Sequence, residues 1–190
     1  IPVLPVGAPL APVPWGRVNP VAGEFAGRCV FWAADAVLRG EVAAMVTAPL
    51  HKEALSAAGA PYASFPGHTE MLQARAALHL GKTVAEVPVR MMLANEELKV
   101  VLVTIHASLR AAIDALSTPL VLETIAIAHR ALASPGHPPR IAVAGLNPHA
   151  GENGLFGERE EERFIVPALN EARKRGFDVT GPVPGDTAFT

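Results

Sequence analysis

Short apolar runs alternate with helical stretches along most of the chain, and this alternation constrains the fold more than any other feature of the sequence. Helices are predicted near residues 22–39, 50–59, 68–80, 108–116, 118–134 and 158–175. Strands are predicted between them, near residues 42–47, 88–94, 99–105, 140–146 and 177–183. We therefore expect an α/β protein in which helices cover both faces of a mixed sheet, giving three layers.

Three segments allow more specific predictions. The run from Ile141 to Leu146 lacks alternation of apolar and polar residues, which predicts a strand covered on both faces. The segment from Met91 to Val103 predicts a hairpin that turns near Asn95. Residues 1–20 contain six of the 18 prolines and predict a connector or an edge segment, because proline lacks a backbone donor. Residues 21–190 then form the α/β part.

Composition excludes several classes of protein. The formal net charge is −2 and no stretch concentrates Lys and Arg with aromatic residues, so no nucleic-acid partner is expected. Cys29 is the only cysteine, which excludes an internal disulfide and favours a reducing, cytoplasmic location. The apolar runs are far shorter than the roughly 20 residues that cross a bilayer, so no membrane segment is expected.

Three polar clusters directly follow predicted strands, where open α/β sheets place their ligands. They begin at Thr47, Thr104 and Asn147. The second cluster contains His106 and the third contains His149, and imidazole is a common ligand of divalent metals. The two histidines could therefore bind one ion. The alternative is that each hydrogen-bonds a loop carbonyl, and the sequence leaves both open.

A fourth cluster, Pro-Gly-His-Thr-Glu at residues 66–70, places a glycine before a predicted helix. Free backbone N–H groups at this start, together with His68 and Thr69, could bind an anion such as phosphate. Thr69 could equally be an ordinary helix cap. Lys52 stands at another predicted helix start, where a cation opposes the helix dipole and either binds a ligand or reaches solvent.

Other patterns carry less information. The acidic residues between 158 and 162 lie at a predicted helix start, where interaction with the helix dipole is a sufficient explanation. The sequence contains no G-x-G-x-x-G, P-loop, G-x-S-x-G or H-E-x-x-H pattern. The residues that would bind a nucleotide therefore stay unassigned.

Five longer strings identify a family. They are T-A-P-L-H-K-E-A-L, F-P-G-H-T-E, M-M-L-A-N-E-E-L-K-V-V-L-V-T-I-H, G-L-N-P-H-A-G-E-N-G-L-F-G and G-P-V-P-G-D-T. Over roughly residues 35–190 they resemble, in content and order, the 4-hydroxythreonine-4-phosphate dehydrogenase family. The resemblance implies an isocitrate/isopropylmalate-dehydrogenase-like fold and a homodimer with active sites at the subunit interface. It also implies one divalent cation (zinc, magnesium or cobalt) at each site.

The resemblance also implies roles for individual residues and a reaction. His106 and His149 match two metal ligands, and His68 and Thr69 match a substrate-contacting pair. Lys52 and Asp186 lie in motifs near the catalytic site. The implied reaction is NAD- or NADP-dependent oxidation of the C3 hydroxyl of 4-phosphooxy-L-threonine. Loss of CO2 then gives 3-amino-2-oxopropyl phosphate on the route to pyridoxal phosphate.

Two family segments are absent from these 190 residues. They are an N-terminal G-D-P-x-G-I-G-P-E segment and a C-terminal H-D-Q-G region that supplies a third metal histidine. We therefore expect the chain to be the central part of a two-lobed dehydrogenase and to be inactive alone. One alternative is a dehydrogenase of 4-phospho-D-threonate or 4-phospho-D-erythronate in sugar-acid catabolism. The other is a non-catalytic dimerisation or binding fragment.

Overall fold

The computed structural model describes residues 3–189 and divides into two compact units. The first unit ends at Val89 and the second begins at Arg90. Ile1, Pro2 and Thr190 lie outside the described residues, so the first two positions of the predicted connector are not covered. Residues 3–19 contain neither helix nor strand. The predicted boundary at residue 20 stays a prediction.

Helices form the regular structure of the first unit. They are α1 (Pro20–Leu38), α2 (Lys52–Ala57) and α3 (His68–His79), with short 3-10 turns at Tyr62–Ser64 and Val84–Glu86. α1 begins where the Asn19 side chain accepts hydrogen bonds from the N–H groups of Val21 and Ala22, at 2.9 and 3.1 Å. Pro20 suits this start because the first helical position needs no backbone donor.

α1 packs closely against α2 and α3. A Cβ built on Gly23 would overlap the backbone oxygen of Ala54, so only glycine permits this approach of α1 to α2. On the other side, Arg75 of α3 donates two hydrogen bonds to the carboxylate of Asp35 on α1, at 2.7 and 2.6 Å. These contacts place the start of α3 relative to α2.

The second unit is an α/β unit. Its elements are β1 (Met92–Ala94), β2 (Lys99–Val101), α4 (Leu109–Ala115), α5 (Thr118–Leu132), β3 (Arg140–Ala144), α6 (Val166–Lys174) and β4 (Asp178–Val183). β1 and β2 form the predicted antiparallel hairpin, and the Asn95 side chain accepts from the N–H of Leu98 at 2.6 Å in its turn. β3 and β4 are parallel, with α6 between them in the chain.

The core of this unit lies between α5, α6 and β4. Its buried residues are Val121, Ile125, Ile165, Ala168, Leu169, Ala172 and Val179. Ile141 and Val143 of β3 pack against this core from the sheet. The parallel pair is therefore fixed by α6, which returns the chain across the same face.

A π turn at Glu161–Ile165 leads into α6, and the sequence explains it. Pro167 lacks the N–H that would bond the carbonyl of Arg163 in an α-helix. The preceding N–H, of Val166, bonds the carbonyl of Glu161 five residues back. The Thr118 hydroxyl lies 3.1 Å from the Phe164 carbonyl and 3.4 Å from the Arg163 carbonyl, so it donates to the carbonyls of this turn.

The α/β class is confirmed, but the expected single sheet is not observed. Within residues 3–189 the strands form one antiparallel and one parallel two-stranded sheet. The predicted strand near 42–47 is wrong, because this segment pairs with no other described strand and Val46 is 97% exposed. A β-favouring composition forms a strand only where a neighbouring edge supplies hydrogen bonds.

The prediction that β3 is covered on both faces is also wrong for the described residues. Ile141 and Val143 are half-buried, whereas Ala142 and Ala144 between them are exposed. The alternation is one of side-chain size rather than polarity, so the large residues face the core and the alanines face away.

No single described helix is both long and apolar enough to cross a membrane. Taken together, α4 and α5 have the length and composition of a membrane span, but the two helices are bent by 92°. Five residues of α5 are buried inside the second unit.

Candidate functional site

In the first unit, Lys52 and the start of α3 lie together. α2 begins at Lys52 as predicted, and His51 caps it by accepting the N–H of Ala54 on Nδ1 at 3.3 Å. A Cβ built on Gly67 would lie 3.7 Å from Cε of Lys52, so the lysine side chain covers this glycine. The cation is thereby placed next to the residue that precedes His68.

The start of α3 has the properties expected of an anion site. His68 and Thr69 occupy its first two positions, and no described side chain caps this end. Ser64, which precedes this helix, donates its hydroxyl to the carbonyl of Pro61 at 2.7 Å. The N–H groups of the first turn therefore remain available, and the lysine adds positive charge beside them.

A cavity of about 240 Å³ lies at this place in the first unit. Its lining includes His68, Thr47 and the thiol-bearing Cys29. The sequence predicted a functional role for the polar cluster that begins at Thr47, but it did not indicate that Cys29 would line the same cavity. That cysteine lies on the α1 face toward the cavity, which is a matter of tertiary packing.

In the second unit, His149 lies in a left-handed turn. The five residues from His149 to Asn153 have φ between 41° and 77°, and only Gly151 among them is a glycine. A left-handed helical conformation costs roughly 1–2 kcal/mol for each L-residue. His149 itself is exposed, with its ring 5.8 Å from that of Phe156. The turn follows the carboxyl end of β3 as predicted.

His106 shares this unusual backbone. It lies five residues after the end of β2, has φ of 54° and is exposed. Non-glycine residues in this region are uncommon and cluster at ligand and catalytic sites. The candidate metal ligands are thus two of the six described non-glycine residues with positive φ.

Asp186 follows the strand next to β3. The N–H of Gly145 donates to the carbonyl of Val183 at 2.8 Å, and the turn at Pro184 continues to Asp186. The His149 and Asp186 turns therefore both follow carboxyl ends of the parallel pair, where open sheets bind ligands. A groove of about 540 Å³ includes His149, Glu152, Glu162 and Pro184 in its lining, but not His106 or Asp186.

The donor chemistry of the two histidines fits a divalent cation, but the set is incomplete. Among residues 3–189, no three His, Cys, Asp or Glu side chains converge where a metal ion could be bound. Zinc, cobalt or magnesium sites need at least three or four ligands, of which some can be water or substrate. A third protein ligand, if used, is not assembled by this part of the chain.

Sequence reasoning missed a buried network behind the His149 turn. Glu160 and Glu161 were interpreted as residues at a helix start, yet they are only 7% and 2% exposed. Both accept hydrogen bonds from the side-chain amide of Asn147, each at 2.9 Å. The only indication of this network in the sequence was that Asn147 is the first residue of the polar cluster that contains His149.

The environment of Glu160 lowers its pKa. Burial by itself raises the pKa, but hydrogen bonds from the Asn147 amide and from backbone N–H groups outweigh it. One of those backbone donors is the N–H of Glu158, at 2.7 Å. The carboxylate form is therefore favoured in the folded protein.

Comparison with known proteins gives consistent matches over nearly the whole chain. A family profile described as pyridoxal phosphate biosynthetic protein PdxA matches residues 1–190. A 4-hydroxythreonine-4-phosphate dehydrogenase from Beijerinckia indica is 49% identical over 176 residues, covering 92% of this chain and 48% of the relative. A D-threonate 4-phosphate dehydrogenase from Salmonella typhimurium is 50% identical over 175 residues, covering 92% of this chain and 50% of the relative.

A solved structure agrees with these sequence matches. The 4-hydroxythreonine-4-phosphate dehydrogenase from Klebsiella pneumoniae is similar with a TM-score of 0.78 at 48% identity. The match covers 92% of this chain and 49% of that structure. The chain therefore spans about half the length of the relatives it matches.

Proposed function

Because the chain belongs to the PdxA family of pyridoxal phosphate biosynthetic proteins, we propose that it supplies the central part of an NAD- or NADP-dependent dehydrogenase. The proposed reaction oxidises and decarboxylates 4-phosphooxy-L-threonine to 3-amino-2-oxopropyl phosphate. Relatives named as dehydrogenases, at 49% and 50% identity, support an oxidoreductase. We propose further that the complete enzyme is a homodimer with the three-layer, isocitrate/isopropylmalate-dehydrogenase-like fold.

The observation that carries the proposal is the left-handed backbone at both candidate metal ligands. His106 and His149 have φ of 54° and 53°, and both side chains are exposed. Strained residues of this kind persist where function requires a fixed side-chain direction. The alternative role, a histidine that hydrogen-bonds a loop carbonyl, would not require this conformation.

The remaining residues have proposed roles in binding. Lys52 would bind the phosphate of the substrate as a point charge. His68, Thr69 and the N–H groups of the first turn of α3 would donate hydrogen bonds to it. Asp186 would contact the reacting end. A bound divalent cation would act as a Lewis acid on a substrate oxygen, with His106 and His149 among its ligands.

A second candidate function rests on the Salmonella typhimurium relative, whose name specifies D-threonate 4-phosphate and whose identity is equally high. The two substrates differ at C2, where one carries an amino group and the other a hydroxyl. A site built to hydrogen-bond one of these groups rejects the other strongly. The substrate preference is therefore decided by contacts that the shared phosphate and metal motifs do not determine.

The deciding experiment replaces the matching segment of the Salmonella typhimurium relative with this chain and measures kcat/KM for both substrates. A preference of about 100-fold or more for 4-phosphooxy-L-threonine supports the proposed function. The opposite preference supports the second candidate. Reduction of neither NAD nor NADP with either substrate, in a folded chimera, contradicts both and favours a non-catalytic dimerisation or binding module.

A further inference from the structure

The left-handed turn of His149 cannot be explained by its own residues. Four of its five positive-φ positions are L-residues, for which this conformation is unfavourable by roughly 1–2 kcal/mol each. Local hydrogen bonds are few and ordinary, such as the N–H of Phe156 to the carbonyl of Gly151 at 3.1 Å. Contacts from outside the turn must therefore stabilise it.

Those contacts come from two buried carboxylates that bind one asparagine. Asn147, which begins the turn, donates its backbone N–H to Glu161 Oε1 at 2.7 Å. Its side-chain amide donates to Oε2 of Glu161 and to Oε2 of Glu160, each at 2.9 Å. Hydrogen bonds to an ionised acceptor are about twice as strong as neutral ones.

The turn also packs tightly against the same carboxylate. A Cβ on Gly151 would lie 2.7 Å from Oε2 of Glu161. A Cβ on Gly145 would lie 2.8 Å from Cα and Cβ of Ala150 and 3.3 Å from Oε1 of Glu161. The turn is therefore in direct contact with Glu161 as well as hydrogen-bonded to it through Asn147.

Stabilisation of the fold does not by itself explain why this network of buried carboxylates is present. Burial of two carboxylates carries a desolvation penalty that apolar side chains of similar size would avoid. What the network does provide is a fixed backbone two residues before His149. Outer-shell partners of this kind typically change ligand affinity by 10–100-fold when they are removed.

We propose that Glu160 and Glu161 are positioning residues that act through Asn147 to fix the left-handed turn from which His149 projects. This inference rests on the proposed function only for the role of His149 as a metal ligand. Both carboxylates bind Asn147 at the base of the turn, and Glu161 also borders the groove that contains His149. Their proposed role is to fix the backbone that carries the imidazole.

The test compares Glu161→Gln with Glu158→Gln, which makes the same substitution at an exposed side chain nearby. Amide hydrogen exchange is followed at Ala150 and Phe156, whose N–H groups bond within the turn. In E161Q these amides should exchange about 10-fold faster while α5 and α6 keep their protection. No change, or an equal rise throughout the unit, would overturn the proposal; E158Q should leave all amides unchanged.

A second readout links the turn to His149. Co²⁺ titration followed by the imidazole NMR signals should show about 10-fold weaker binding in E161Q. Loosening of the turn with unchanged Co²⁺ affinity would overturn the positioning role. Co²⁺ binding that survives in H149A would instead contradict the metal role in the proposed function and leave the exchange result standing. If E161Q fails to fold, Asn147→Ala provides the same two measurements with both carboxylates retained.

Discussion

At the scale of residues, the start of α3 is a candidate binding site whose side chains are not needed for the packing of the core. His68 and Thr69 lie where no described side chain caps the helix, and Lys52 lies over the adjacent Gly67. None of these side chains belongs to the buried core of the described residues. Their loss should therefore affect binding more than folding.

Replacing His68 and Thr69 together by alanine should raise KM about 10–100-fold and leave kcat nearly unchanged. The reason is that a phosphate contact is made equally in the ground and transition states, and its loss corresponds to roughly 1.5–3 kcal/mol. Steady-state kinetics of the chimera with the Salmonella typhimurium relative measure this. His79→Ala, at the exposed far end of the same helix, is the control and should change neither constant. Equal kinetics for both variants would reject the assignment.

Glu160 should make folding stability depend on pH on the acid side. Its folded-state pKa is lowered, so its stabilising contribution is complete above the unfolded-state pKa and is lost as pH falls through the folded-state pKa. The difference in free energy of unfolding between the wild type and E160Q should therefore be largest near neutral pH and shrink in acid. Urea titrations at a series of pH values measure it. A difference that grows as pH falls would show that the carboxylate is not favoured by its surroundings.

At the scale of elements, sequence patterns predicted the features that depend only on neighbouring residues. The start of α2 at Lys52 and the hairpin turn at Asn95 follow from capping and turn chemistry, which act within a few residues. α1 begins at Pro20, two residues before its predicted start. The prediction of a strand near 42–47 was wrong, because strand formation depends on a partner edge elsewhere in the chain. The left-handed turn was missed because it depends on hydrogen bonds from Asn147 to Glu161 and Glu160, which lie 14 and 13 residues further along the chain.

Substitution of Asp35 by Asn should destabilise the chain by about 1–2 kcal/mol, because Asp35 links α1 to α3 through a two-point contact with Arg75. Both side chains are about one-quarter exposed, which limits but does not remove the contribution. Glu24→Gln removes a more exposed 3.5 Å pair with Arg28 within the same helix and should change stability by less than about 0.5 kcal/mol. Chemical denaturation compares the two. Equal effects would mean that the helix–helix contact contributes no more than a surface pair.

At the scale of the whole molecule, the candidate functional residues are divided between the two units. The first contains the candidate phosphate contacts, and the second contains the two histidines and Asp186. Each group was proposed from a motif string, because each motif is local in sequence. A complete ligand set was not predictable from these residues, and none is assembled within residues 3–189.

Purified residues 1–190 should therefore show no metal-dependent reduction of NAD or NADP with 4-phosphooxy-L-threonine. Two imidazoles bind a divalent ion weakly, and the sequence contains no dinucleotide fingerprint to bind the coenzyme. Absorbance at the nicotinamide band, with zinc, magnesium or cobalt added in turn, measures the reaction. The Salmonella typhimurium relative with D-threonate 4-phosphate serves as the positive control. Turnover by the chain alone would mean that these residues supply a third ligand. His51 is the first candidate, because its Nδ1 caps α2 while the side chain stays exposed, and H51A should then abolish the activity.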